Sequence, residues 1–117
     1  MPYIDGFVIP VPCDAKQAFI DHARTIDAIF LELGATRVVE SWGDDVPAGQ
    51  HTDFPRAVAA TPEETVAFAW IEWPDKATRD AAMKKLRDEP RMMDPPMPFD
   101  GKRMIFGGFE TVVLLEK

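Results

Sequence analysis

Apolar residues recur along this chain in two periods, and the switches between them divide it into elements. Tyr3 to Val11 (YIDGFVIPV) is rich in β-branched and aromatic residues, and Pro10 and Pro12 bar a helix there, so it predicts a strand. Asp14 offers an N-cap, with Gln17 three residues on as its capping-box partner. Phe19, Ala23, Ile26, Phe30 and Leu33 then follow at spacings of four and three, one stripe of an amphipathic helix that Gly34 ends. Ala35 to Trp42 (ATRVVESW) reads as a second strand. Residues 43–62, with Pro47, Pro55 and Pro62, form a long connection holding a short extended piece from Phe54 to Ala59. Thr65 to Trp73 (TVAFAWIEW) is a third strand closed by Pro74. Asp75 caps a second helix carrying Ala77, Ala81, Ala82 and Leu86, which must stop at Pro90. Beyond Pro95, Pro96 and Pro98 and the turn Asp100-Gly101, a last strand runs from Arg103 to Leu114, with Gly107-Gly108 as a bulge or bend.

The order β-α-β-β-α-β, with right-handed crossovers and short connections, leaves one dominant solution. It is an α+β, ferredoxin-like split βαβ fold: a four-stranded antiparallel sheet in the order 4-1-3-2, with both helices on one face. Alternation divides each strand into two sets. The sets with smaller side chains (Ile4, Gly6 and Val8; Val39 and Ser41; Ala67, Ala69 and Ile71) let a helix approach and are assigned to the helix side. The other face then gathers Tyr3, Phe7, Trp42, Phe68 and Trp70 with three carboxylates, Asp5, Glu40 and Glu72. Arg103 and Phe109 of the last strand join them. A bare aromatic face of that extent calls for a cover, and a second copy supplies it, giving a homodimer with its sheets face to face.

Composition narrows the function without naming it. The 117 residues suit a single domain spanning 1–117. Thirteen Lys and Arg against twenty Asp and Glu leave a net charge of −7, which argues against a nucleic-acid backbone or an anionic membrane as partner. Cys13 is the single cysteine, so an internal disulfide and a cysteine-built zinc site are excluded, and a reducing cytoplasm is the expected setting. No apolar run approaches membrane-spanning length, and the first residues lack the pattern of a secretory leader. Asp44, Asp45, Asp53 and Glu40 do not match the spacing of a calcium loop and read as turn formers. His51 reads as a solvated loop residue and His22 as a boundary residue beside the first helix's stripe.

Several longer segments carry a resemblance. Tyr3-Ile4-Asp5-Gly6-Phe7-Val8, residues 39–47 (VESWGDDVP), Thr52-Asp53-Phe54, Trp70-Ile71-Glu72-Trp73-Pro74, Arg79-Asp80-Ala81 and residues 97–109 (MPFDGKRMIFGGF) resemble the YbaA-like family of small bacterial proteins, a domain of unknown function. The likeness spans essentially the whole chain. It implies a dimeric α+β barrel, the superfamily of antibiotic-biosynthesis-type monooxygenases and muconolactone-isomerase-like enzymes. It implies no catalytic residues and no cofactor.

The expected ligand cavity therefore comprises Tyr3, Asp5, Glu40, Trp42, Phe68, Trp70, Glu72 and Arg103. In the catalytic reading, the acids act as a base or as hydrogen-bonding groups on a small molecule, in cofactor-independent oxygenase or isomerase chemistry, between aromatic walls. In the plainer reading, the acids pair with Arg37, Arg103 or Lys102 to fix register, and the aromatics are the buried core of a non-catalytic binding or stress-associated dimer.

Overall fold

The computed structural model describes all 117 residues. Its elements run β1 (Tyr3–Pro12), α1 (Lys16–Glu32), β2 (Arg37–Trp42), α2 (Phe54–Ala57), β3 (Glu64–Trp73), α3 (Lys76–Leu86) and β4 (Ile105–Glu110). The sheet order is β2-β3-β1-β4 and every neighbouring pair is antiparallel, the split βαβ arrangement expected from the pattern. Pro10 and Pro12 are tolerated in central β1 because its pairing with β4 stops at Val8, leaving one side of the strand without a partner.

Of four local expectations, three need correction. Asp14 does not cap α1: Cys13–Ala15 form a 3₁₀ turn, Ala15 is the N-cap without a side-chain bond, and Gln17 donates to Asp21 instead. The piece at Phe54 is helical, because Asp53 accepts a hydrogen bond from the Arg56 N–H at 2.8 Å and Pro55 occupies the first turn. The last strand covers only Ile105–Glu110, and Gly107 and Gly108 stand one-to-one opposite Gly6 and Asp5 without a bulge. Asp75 does cap α3, accepting from the Thr78 N–H at 2.7 Å.

The remaining correction concerns the faces. Residues directly opposite in an antiparallel ladder share a face. Asp5 stands opposite Ile71, Phe7 opposite Ala69 and Ile9 opposite Ala67, while Val38, Glu40 and Trp42 stand opposite Ile71, Ala69 and Ala67. Ile71, Ala69 and Ala67 are buried under the helices, as their small size suggested. The sets of β1 and β2 are therefore inverted: Tyr3, Asp5, Glu40 and Trp42 lie on the helix side, and Ile4, Gly6, Val8 and Val39 on the open side. Gly6 misled the assignment because the space it vacates is taken by the Phe109 ring, 3.5 Å from where a Cβ would stand, and not by a helix.

The core lies between α1, α3 and this helix side. One cluster gathers Ile26, Ile29 and Phe30 of α1 around Ile71 and Trp73, with Ala82 from α3. A second joins Ile9, Val11, Phe19 and Ala67. Gly34 closes α1 at φ +114, a conformation that L side chains rarely adopt. No helix is long and apolar enough to cross a membrane.

Candidate functional site

The eight residues expected to share one cavity fall into four places. Phe68, Trp70 and Glu72 are on the open face, which with Ile4, Ile105 and Phe109 forms an apolar concavity of about 760 Å³. Glu72 accepts from Arg37 at 2.9 Å and from Trp70 Nε1 at 3.1 Å, and the Arg37 contact holds its carboxyl below the usual range.

Tyr3 and Asp5 belong to a buried network on the other side. Asp5 is 4% exposed; Trp73 Nε1 donates to Oδ2 at 2.9 Å, and Arg79 donates from Nε to Oδ2 at 3.1 Å and from Nη2 to Oδ1 at 2.9 Å. The Tyr3 ring lies 5.2 Å from the guanidinium. Asp5 is thus fully ligated by protein groups and ties β1 to β3 and α3, with Arg79 in place of the cations anticipated for it. Arg103 lies before β4 and faces neither site. It clamps Glu64 through two hydrogen bonds of 2.7 Å, together with Asp100 and the Ala59 carbonyl, and Glu64 is driven down to about 2 by that contact.

Glu40 and Trp42 lead to a different place. Between α1 and the sheet lies a pocket of about 200 Å³. Phe19, Ile26 and Phe30 of α1 form one wall, and the segment after α3 roofs it with Met92, Phe99 and Met104. That roof is tied down at both ends, by Arg91 on Glu32 (2.8 Å) and Glu89, and by the Arg103 cluster. Among the lining side chains only His22, Asp27 and Glu40 are ionisable, and no Lys or Arg is present. Trp42 packs beside it against Phe19, ring centres 5.7 Å apart.

The Asp27 and Glu40 carboxyls both line this pocket. Burial first, and then the adjacent Asp27, push Glu40 up to about 9, the direction that favours its protonated form. Burial also raises Asp27, while the neighbouring Glu40 carboxyl opposes that rise. Glu40 Oε2 is sealed from solvent and has no hydrogen-bond partner in the chain. Burial lowers His22, leaving its imidazole neutral near pH 7, edge-on to Phe99 at 5.8 Å. The site thus sets two neighbouring carboxyls and an imidazole on an apolar pocket, a group of side chains suited to acid–base chemistry on an uncharged molecule.

Sequence reasoning found Glu40 and missed Asp27 and His22. The available signal was Asp27 directly after Ile26, an acid bordering the helix's buried stripe.

Fold and site together define a ferredoxin-like α+β protein with an acid pair beneath its first helix. Residues 2–101 match the family described as "Protein of unknown function (DUF1428)", and the chain belongs to that family. It is 51% identical over 115 residues, 97% of this chain and 98% of the relative, to "Uncharacterized protein YbaA" of Escherichia coli (strain K12), and equally to its counterpart in Shigella flexneri. Two solved structures share the fold. One is a dimeric ferredoxin-like protein from an uncultured marine organism (TM-score 0.54, 13% identity, all of both chains covered). The other is a putative antibiotic biosynthesis monooxygenase from Nitrosomonas europaea (TM-score 0.51, 12% identity, 95% of this chain and 90% of that one).

Proposed function

We propose that the protein is a homodimer that binds a small, largely apolar carbonyl or phenolic compound beneath α1 and moves a proton on it without a cofactor. The acid pair Asp27–Glu40 on an apolar pocket carries this reading. Two half-buried acids, neither in an ion pair, on a pocket lined by no cation cost stability that apolar side chains of like volume would not, and such costs concentrate where chemistry needs them. On an enolisable ketone, the Asp27 carboxylate takes the proton from the α-carbon and the C–H electrons move into the new C=C bond. The carbonyl oxygen receives the proton from Glu40. The pair ends with its proton on Asp27, and its return to the neighbouring Glu40 restores the starting state.

The test uses 2-tetralone in D₂O, followed by NMR. Deuterium enters the α-position faster with the protein than in buffer, and Asp27→Asn lowers the rate by about 100-fold, the usual scale for a positioned base. Equal rates for wild type and Asp27→Asn would remove the assignment.

The dimer half of the reading rests on the open face, where Phe68 is 44% and Phe109 58% exposed on one continuous apolar concavity. A neighbour in fold is itself dimeric, which supports a second copy as the cover.

A further inference from the structure

A second concavity of about 480 Å³ runs along the outside of the acid pair, and it is built differently from the pocket. One face of α1 faces the edge strand β2 across it: Lys16, Ile20, Ala23, Asp27 and Leu31 recur at spacings of four and three opposite Val38, Glu40 and Trp42. Phe19, Ala23, Asp27, Val38 and Glu40 line both spaces, so the groove and the pocket meet at the carboxyl pair. The difference is charge. The pocket holds no cation, whereas the groove holds Lys16 and Arg24, eight residues or about 12 Å of helix apart. Neither takes part in any ion pair. Lys16 instead lies 6.0 Å from the centre of the Trp42 ring. In a chain of net charge −7, these two cations share the groove with the Asp27 and Glu40 carboxyls without pairing to either, and so remain available to an anion.

We propose that the groove is the outer half of the same site and that the ligand is an amphipathic monoanion. Its uncharged, oxygen-bearing ring enters the pocket against Glu40 and Asp27, and its carboxylate stays in the groove between Lys16 and Arg24. This deepens the pocket reading and rests on it. The division follows from solvation: a carboxylate in the apolar pocket would be desolvated beside Asp27 with no counter-ion, whereas in the groove, which the same acids border, it keeps water and meets two cations.

Calorimetric titration with 4-(4-hydroxyphenyl)butanoate and with its uncharged primary amide separates the two halves. The acid binds wild type about tenfold more tightly than the amide at low salt, and added salt erodes the difference because the groove is open to solvent. In the Lys16→Met, Arg24→Met double variant the acid falls to the affinity of the amide, while amide binding is unchanged and so reports an intact pocket. Equal binding of acid and amide to wild type, or a preference that survives in the double variant, overturns the anion half alone. Binding of neither compound to wild type overturns the pocket reading and this proposal together.

Discussion

Glu40 shows how one residue's chemistry is set by what stands near it. In β2 it is an ordinary acid between Val39 and Ser41, and nothing local makes it unusual. Pairing places it on the helix side opposite Ala69, and α1 brings Asp27 against it. The sign of its effect on stability follows. Its folded-state value is raised from 4.5 to about 9, so between those limits the unfolded chain releases a proton that the folded chain keeps. Stability from this group is complete below pH 4.5 and is lost as pH rises towards 9, with a slope of at most about 1.4 kcal/mol per pH unit for one proton. Glu40→Gln keeps a donor towards Asp27 and removes the titration. Chemical denaturation from pH 5 to 9 therefore gives a flatter profile for the variant, which overtakes wild type at the alkaline end; parallel profiles would show that Glu40 is already ionised.

Asp5 is the contrasting residue. It is more deeply buried than Glu40, yet Trp73 and Arg79 satisfy it from 68 and 74 positions away. Its sequence neighbours gave no sign of either partner, so an acid committed to architecture was grouped with those expected at a ligand.

At the scale of elements, the junctions matter most. Gly34 ends α1 at φ +114, and a Cβ there would stand 2.7 Å from Thr78 Cγ2 of α3. The position therefore carries a conformational demand and a contact demand at once. Gly34→Ala is expected to cost about 1–2 kcal/mol, seen as a lowered Tm, from the left-handed backbone and the clash together. Thr78→Ser in the same chain removes the methyl and recovers only the contact share. Full recovery would mean that the backbone conformation costs nothing. Element existence was legible because period and punctuation are local: the stripe of α1, the Asp75 cap and the proline stops all act within a few residues. The short helix at Phe54 was not, since its cap works with Arg56 in a stretch whose prolines equally suit extended chain.

For the whole molecule, the open face is the deciding surface. Ile4, Phe68, Trp70 and Phe109 share it, and the Val112–Val113 pair borders the same concavity. A self-complementary twofold contact predicts sedimentation at about twice 13.1 kDa at micromolar concentration. Phe109→Lys returns the protein to a monomer there, with the pocket beneath α1 still binding the tetralone. A folded wild-type monomer at that concentration would leave the face without its proposed partner.

Local pattern alone determined the two helices, the four strands and their antiparallel order, because periodicity, caps and crossover handedness depend on neighbours in the chain. It also marked Glu40 as a residue worth following. Which side of each strand meets the helices was decided only in three dimensions. Alternation yields two sets per strand, and the partner strand's register chooses between them. That choice carried Glu40 from an expected aromatic face to the underside of α1, where it meets a second acid, Asp27, on an apolar pocket.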